Sequence, residues 1–156
     1  MTMRAKEARV AGTVYTIGYE GADQDRFVAA LQGAGVAVLA DVRAVALSRK
    51  RGFSKSSLRQ RLAEERLGYR HFVDLGTPKA GREAARAGDG AMMRRIFCEQ
   101  LATPSAESAF EELATLAAGE PVCLMCFERD PAMCHRRILA ERLAERGLAT
   151  VDLFAV

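Results

Sequence analysis

The run Val36-Ala37-Val38-Leu39-Ala40, followed directly by Asp41-Val42-Arg43, decides the fold class of this chain. Five consecutive apolar residues leave no polar face, which is typical of a strand that is buried on both sides in a parallel sheet. Glycines at positions 33 and 35 end a helical pattern just before the run. The run therefore predicts a central strand with helices covering both faces of its sheet.

Strand-like and helix-like segments alternate on both sides of this run. Further strands are predicted at 13–17, 69–72, 122–127 and 150–154. Helices are predicted from the N-cap residue Asp23 to the glycines at 33 and 35, and over 55–67, 91–102, 105–118 and 134–146. Residues 76–90 contain glycines without apolar periodicity, and this predicts a mobile loop. The alternation predicts a single three-layer α/β/α domain over residues 1–156, with a mainly parallel five-stranded sheet and a loose segment at 1–12.

Length and composition support one domain of ordinary size. The chain has 156 residues, of which 49% are hydrophobic, and this suffices for one core. The sequence shows neither an apolar stretch of about 20 residues nor a secretory signal, so we expect a cytoplasmic protein without a membrane span. Four cysteines in such a chain are expected to be reduced thiols rather than a disulfide framework. Nothing in the pattern specifies an oligomeric state.

Chemically active side chains follow the predicted strands. They are Tyr19 and Glu20 after the first strand, Asp41 and Arg43 after the second, His71 at the third, and Cys126 and Glu128 at the fourth. Cys134, His135 and Arg136 open the next predicted helix. Ligands of open parallel sheets bind beyond the carboxyl ends of the strands, so we expect these side chains to line one pocket.

Several short motifs together resemble a known family. They are Thr16-Ile17-Gly18-Tyr19-Glu20-Gly21, Asp41-Val42-Arg43, Ser48 with Gly52-Phe53-Ser54-Lys55, Tyr69-Arg70-His71, and Cys126-Phe127-Glu128 with Cys134-His135-Arg136. In this order, from about residue 13 to residue 154, they resemble the family called domain of unknown function 488 (DUF488). The resemblance implies a single compact α/β domain and brings no established reaction. Its motifs add Ser48 and Lys55 to the candidate binding residues.

Cys134 is the candidate nucleophile or redox thiol. A cysteine at a helix N-terminus, beside a histidine and an arginine, is placed where the thiolate is favoured. We expect His135 to be its proton partner. Cys126 ends an apolar strand, and the alternatives for it are a buried supporting side chain, a ligand or a resolving thiol.

Two arginines are candidates for holding an anion. The guanidinium groups of Arg43 and Arg136 offer planar forks of donors that match phosphate or carboxylate. The alternative is a structural salt bridge, for example between Arg43 and Asp41. We expect Tyr19 and Glu20 to shape the pocket around the bound group.

These residues lead to two hypotheses of function. The first is a thiol-dependent enzyme that acts on an anionic small molecule, such as a phosphorylated or nucleotide-like compound, although the sequence leaves open whether the protein is an enzyme. The second is a nucleic-acid-binding module that uses the basic segment 49–61 without catalysis. Phe53 in that segment is available to pack on a base or on the protein.

No motif in the sequence indicates a cofactor or a metal site. Neither a Walker motif nor a Gly-x-Gly-x-x-Gly motif is present. Cys126, Cys134 and His135 are soft ligands, but their spacing matches no common zinc pattern. Direct neighbours such as Cys134 and His135 also rarely point the same way from one helix. The sequence therefore predicts no cofactor and no metal.

Overall fold

The fold is built on one five-stranded sheet, seen in a computed structural model that describes residues 12–155 apart from the side chain of Met133. The strands are β1 (Thr13–Gly18), β2 (Val38–Asp41), β3 (Gly68–His71), β4 (Val122–Cys126) and β5 (Ala149–Leu153). All are parallel, in the order β3-β2-β4-β1-β5. The predicted α/β class and five-stranded sheet are confirmed. The loose segment predicted at 1–12 lies, except for Gly12, outside the described residues.

Helices connect the strands. They are α1 (Gln24–Ala34), α2 (Lys55–Glu64), α3 (Lys79–Arg86), α4 (Gly90–Leu101), α5 (Pro104–Gly119) and α6 (Arg136–Ala144), with short 3₁₀ turns at Val73–Leu75 and Pro131–Met133. Capping side chains stabilise the N-termini of several helices. Asp23 accepts a hydrogen bond from the Arg26 amide at the start of α1, and Thr103 accepts one from the Ala106 amide at the start of α5. No helix among residues 12–155 is long and apolar enough to cross a membrane.

Two separate apolar clusters lie on the two faces of the sheet, because side chains alternate along each strand. One cluster takes alternate residues such as Ala40 and Leu124 together with α4, α5 and α6. The other takes Leu39 and Met125 together with α1 and α2. The central run at 36–40 is thus buried from both sides, as its lack of a polar face predicted.

Helix α3 is a correction to the sequence-based prediction, which placed a mobile loop at 76–90. The segment Lys79–Arg86 is helical, and Gly81 packs where an added Cβ would lie 3.2 Å from the Cγ2 of Ile96. Ala84 and Ala85 pack partly buried against the core. The apolar face of α3 consists of alanine and glycine, so the helix is amphipathic without the large apolar side chains by which such a helix is ordinarily recognised.

Candidate functional site

A cavity of about 510 Å³ opens beyond the carboxyl ends of β1, β2 and β4. Six of the predicted site residues line it: Tyr19, Arg43, Cys126, Glu128, Cys134 and His135. They come from different strands and loops, and parallel pairing of the strands brings those ends to one edge of the sheet. The structure therefore places these side chains around one space.

The segment between β4 and α6 differs from the predicted helix start. A 3₁₀ turn at Pro131–Met133 comes first, capped by the Asp130 side chain, and Cys134 then has extended backbone angles (φ −129°, ψ 148°). His135 is the N-cap, and α6 begins only at Arg136. Cys134 and His135 are thus not both on one helix, so their side chains are free to converge.

The sulfur atoms of Cys126 and Cys134 meet in a disulfide contact. The expectation of four reduced thiols is wrong for this pair, while Cys98 and Cys123 carry free thiols. The chain fold makes the contact: Cys126 ends β4, and the turn at Pro131–Met133 brings the chain back across that end. The two Cα atoms are 7.3 Å apart. Burial raises the pKa of the Cys123 thiol, which is inert in the core.

One ring nitrogen of the His135 imidazole is hydrogen-bonded to the backbone. Nε2 lies 2.7 Å from the carbonyl oxygen of Val42, and because a carbonyl only accepts, Nε2 carries the proton. Nδ1 is then unprotonated and lies 3.6 Å from the Cys134 sulfur. Burial, together with the positive charge of Arg136, lowers the pKa of His135 to about 4 against the opposing effect of the Val42 hydrogen bond. The ring is therefore neutral near pH 7.

Arg136 is fully buried and is bound to the protein rather than to solvent. Its Nη1 donates to the Cys126 sulfur at 2.9 Å and to the Glu128 carbonyl oxygen at 2.5 Å, and its Nη2 donates to the Arg129 carbonyl at 3.2 Å. Nε has no hydrogen-bond partner among the described residues. Burial lowers the pKa of Arg136. The side chain holds the segment that carries Cys134, and its role as an anion clamp stays a prediction.

Arg43 forms the structural ion pair that was the alternative to anion binding. Its Nε and Nη2 donate to the two carboxylate oxygens of Asp41 at 2.8 and 2.7 Å. Its Nη1 donates to the Phe53 carbonyl at 2.8 Å and to the Tyr19 hydroxyl at 3.3 Å. Tyr69 completes the group by donating its hydroxyl proton to Asp41 at 2.5 Å. Most of the Arg43 donors are thus already used within the protein.

Other predicted binding residues lie away from the lining of the cavity. Exposed Glu20 accepts a hydrogen bond from the Arg129 amide at 3.0 Å. Ser48 accepts one from the Lys50 amide at 3.1 Å, which orders its own loop. The Lys55 amide donates to the Ala46 carbonyl at 2.9 Å. His71 Nε2 lies 2.7 Å from the Arg43 carbonyl oxygen. These contacts are structural, and a binding role for these four residues stays a prediction.

Some side chains of the basic segment 49–61 form contacts with other residues of the protein. Phe53 is fully buried and stacks on Tyr19 with ring centroids 4.7 Å apart, so its ring packs on the protein rather than standing ready for a base. Arg61 pairs with Asp25 at 2.7 Å and with Glu65 at 3.4 Å. Nucleic-acid binding by this segment stays an untested prediction.

Sequence reasoning missed two arginines of the site. Arg82 and Arg86 lie one turn apart on α3 and both line the cavity. Within residues 12–155 neither pairs with a carboxylate, and Arg82 donates only to the Thr77 carbonyl at 2.8 Å. Leu47 and Phe127, which are 74% and 46% exposed, line the same cavity. The spacing of the two arginines was visible in the sequence, but it became informative only once the segment was known to be helical.

Fold and site together define a parallel α/β protein with a cysteine–histidine cluster at the carboxyl edge of its sheet. The chain belongs to the DUF488 family, described as a domain of unknown function, whose family model matches residues 23–143. This confirms the resemblance seen in the sequence motifs. Neither the curated proteins nor the solved structures gave a match to this chain.

Proposed function

We propose that this protein is an enzyme that binds an anionic small molecule in the cavity and acts on it through the thiol of Cys134. The observation that carries the proposal is the 3.6 Å contact between the Cys134 sulfur and the unprotonated Nδ1 of His135 in the wall of that cavity. A nucleophile next to a base that is itself oriented by a third group is the arrangement found in thiol enzymes. Here the third group is the Val42 carbonyl.

Arg82 and Arg86 support an anionic substrate. Both guanidinium groups line the cavity and lack a carboxylate partner among residues 12–155, and a guanidinium fork matches the geometry of phosphate. Arg136 adds positive charge to the same region, whereas the charge of Arg43 is paired with Asp41, and neither arginine offers a free fork. The anion therefore binds at α3 in this proposal rather than at the two arginines that the sequence favoured.

The exposed apolar side chains at the cavity support an organic substrate. Leu47 and Phe127 offer a surface on which a flat or apolar group can pack. A ligand with an anionic end and such a group fits both features. We therefore assign the substrate to the class of phosphorylated or nucleotide-like compounds.

The chemical step follows from the positions of the two reacting groups. Nδ1 of His135 accepts the thiol proton of Cys134 as the sulfur attacks an electrophilic centre of the substrate. The bond from sulfur to that centre forms while the bond to the leaving group breaks, and the leaving group takes the proton from the imidazolium. Water then releases the sulfur-bound group and restores the thiol. The cycle starts from the reduced pair, which a thiol reductant forms from the Cys126–Cys134 disulfide by thiol–disulfide exchange. Each turnover after this reduction consumes no oxidant or reductant.

The experiment compares two alkylating reagents on reduced, chelator-treated protein, with the modified cysteine identified by mass spectrometry. Neutral iodoacetamide reports the reactivity of the Cys134 thiol, and anionic iodoacetate also reports attraction by Arg82 and Arg86. We expect Cys134 to react faster than Cys98, and the double variant Arg82→Gln/Arg86→Gln to lower the ratio of the iodoacetate rate to the iodoacetamide rate by about tenfold.

The matched control is Arg49→Gln/Arg51→Gln, which removes two exposed positive charges that do not line the cavity. This control is expected to leave the ratio unchanged. If Cys134 reacts no faster than Cys98, the thiol mechanism is wrong. If the two double variants lower the ratio equally, the anion site at α3 is wrong.

A further inference from the structure

We propose that Cys126, Cys134 and His135 also bind one thiophilic divalent cation, with Zn²⁺ as the ion best matched to these ligands. Their ligand atoms lie within 4.8 Å of one another, and all three residues are buried. This inference concerns the same site as the proposed function and rests on that function in one respect. The ion would bind the Cys134 sulfur, which is the nucleophile of the proposed reaction. The inference therefore assigns a form of regulation to the same site.

The distance between sulfur and nitrogen suits a shared ion. Tetrahedral bonds of about 2.3 Å to sulfur and about 2.0–2.1 Å to nitrogen place two such ligand atoms about 3.5–3.6 Å apart. The Cys134 sulfur and Nδ1 of His135 are 3.6 Å apart. The separation of these two atoms therefore matches that of two ligands on one ion.

The spacing of the two cysteines also suits an ion. Their Cα atoms are 7.3 Å apart, wider than the 4.4–6.8 Å that disulfides usually span. Two thiolates on one tetrahedral ion would have sulfur atoms about 3.8 Å apart, which this backbone separation accommodates. The ion binds the reduced pair, and the two thiol protons pass to solvent as the thiolates coordinate.

The groups around the ligands resemble the surroundings of a metal site. A metal-binding histidine ordinarily donates its other ring N–H to a carbonyl or carboxylate, and His135 donates to Val42 at 2.7 Å. Each sulfur faces an N–H donor, since Arg136 directs Nη1 to Cys126 at 2.9 Å and its backbone amide to Cys134 at 3.5 Å. Such donors stabilise thiolates, and the guanidinium charge remains beside a site whose ion and two thiolates sum to zero.

The cavity lies where a fourth ligand would bind. Three protein ligands leave one tetrahedral position, and all three residues line the cavity, so that position opens toward the cavity. With the ion bound, the Cys134 sulfur is no longer available as a nucleophile. Zn²⁺ is therefore expected to inhibit the thiol chemistry, and the metal-free form to be the reactive one.

Co²⁺ titration of the reduced full-length chain tests the site directly, because thiolate-to-cobalt absorption in the near ultraviolet requires cobalt–sulfur bonds. We expect saturation at one equivalent of Co²⁺, displacement by Zn²⁺, and a loss of Zn²⁺ affinity of more than about tenfold in Cys126→Ser, Cys134→Ser and His135→Asn. The matched control is Cys98→Ser, which removes a thiol outside the site and should bind like the parent. Urea unfolding of each variant shows that it is folded.

The alkylation assay separates this inference from the proposed function. One equivalent of Zn²⁺ should slow iodoacetamide labelling of Cys134, and a chelator should restore it. Absence of the cobalt–thiolate band in reduced protein would overturn the metal site while leaving the labelling of metal-free Cys134 as evidence for function. Conversely, a cobalt band in a protein whose Cys134 labels no faster than Cys98 would support the metal site and reject the thiol enzyme.

Discussion

His135 donates its Nε2 proton to the carbonyl oxygen of Val42 at 2.7 Å, and this contact turns Nδ1 toward the Cys134 sulfur. Val42 directly follows β2, so the end of a central strand fixes the tautomer of a histidine that is far away in the sequence. The ring also packs edge-on against Phe97, with centroids 5.0 Å apart. The imidazole is thus held in the one orientation that presents an acceptor to the cysteine.

Replacing His135 by glutamine should distinguish the contribution of His135 to stability from its contribution to the reactivity of Cys134. The Gln amide reaches the Nε2 position and keeps a donor for Val42, but leaves no basic nitrogen at the Nδ1 position. We expect the free energy of unfolding to fall by no more than about 1 kcal/mol, while the iodoacetamide rate at Cys134 falls by at least about tenfold. Urea unfolding and labelling kinetics measure the two effects. An unchanged labelling rate would show that His135 does not activate the thiol.

Removal of Arg43 should destabilise the fold strongly. Asp41 is completely buried, and Arg43→Met leaves its charge without the paired guanidinium, so we expect a loss of about 3–5 kcal/mol in urea unfolding. The double variant Asp41→Asn/Arg43→Met should recover part of this loss because it removes both charges. The control is Arg94→Ala, whose partly exposed pair with Glu141 should contribute less than about 1 kcal/mol. Equal losses for both arginines would contradict the assigned role of the buried pair.

The hydroxyl group of Tyr69 should make the free energy of unfolding decrease at alkaline pH. Burial and the hydrogen bond to the Asp41 carboxylate raise the pKa of Tyr69 well above its ordinary value. The unfolded chain loses this proton near pH 10 whereas the folded chain keeps it, so stability falls as the pH rises above about 10. We expect Tyr69→Phe to lose less stability than the parent between about pH 10 and about 11.5. Parallel pH profiles in chemical unfolding would refute this.

Gly18 should be essential for the position of the Cys134 segment. An added Cβ would overlap the backbone of Glu128 and Arg129, so Gly18→Ala must displace the chain between β4 and α6. We expect a loss of about 1–3 kcal/mol or more in thermal or urea unfolding, together with weaker Zn²⁺ binding. Gly33→Ala is the matched control, because its Cβ would meet open space on α1 and should stabilise by up to about 1 kcal/mol. Equal behaviour of the two variants would argue against this close approach.

The helix start at Cys134 shows why part of the site escaped prediction. A helix over 134–146 would separate the Cys134 and His135 side chains, and this is one reason, beside the unfamiliar spacing of the ligands, why the sequence predicts no metal. The 3₁₀ turn and the extended Cys134 remove this obstacle. Such a local backbone choice depends on a cap from Asp130 and on the buried Arg136 contacts, which no hydrophobic pattern encodes.

The sequence by itself determined the α/β class, and it predicted that the candidate side chains gather at the carboxyl edge of the sheet, where six of them line one cavity. An apolar run such as 36–40 favours a strand that is buried on both faces. Parallel strands then bring their carboxyl ends to the same edge of the sheet. Only the tertiary structure decided that α3 is helical, that Arg43 pairs with Asp41, and that Cys126, Cys134 and His135 converge. The Arg43 pairing and the convergence of the three residues depend on which polar groups meet after folding, and hydrophobic periodicity does not specify this. The helix α3 was missed because its apolar face is made of alanine and glycine instead of large apolar residues.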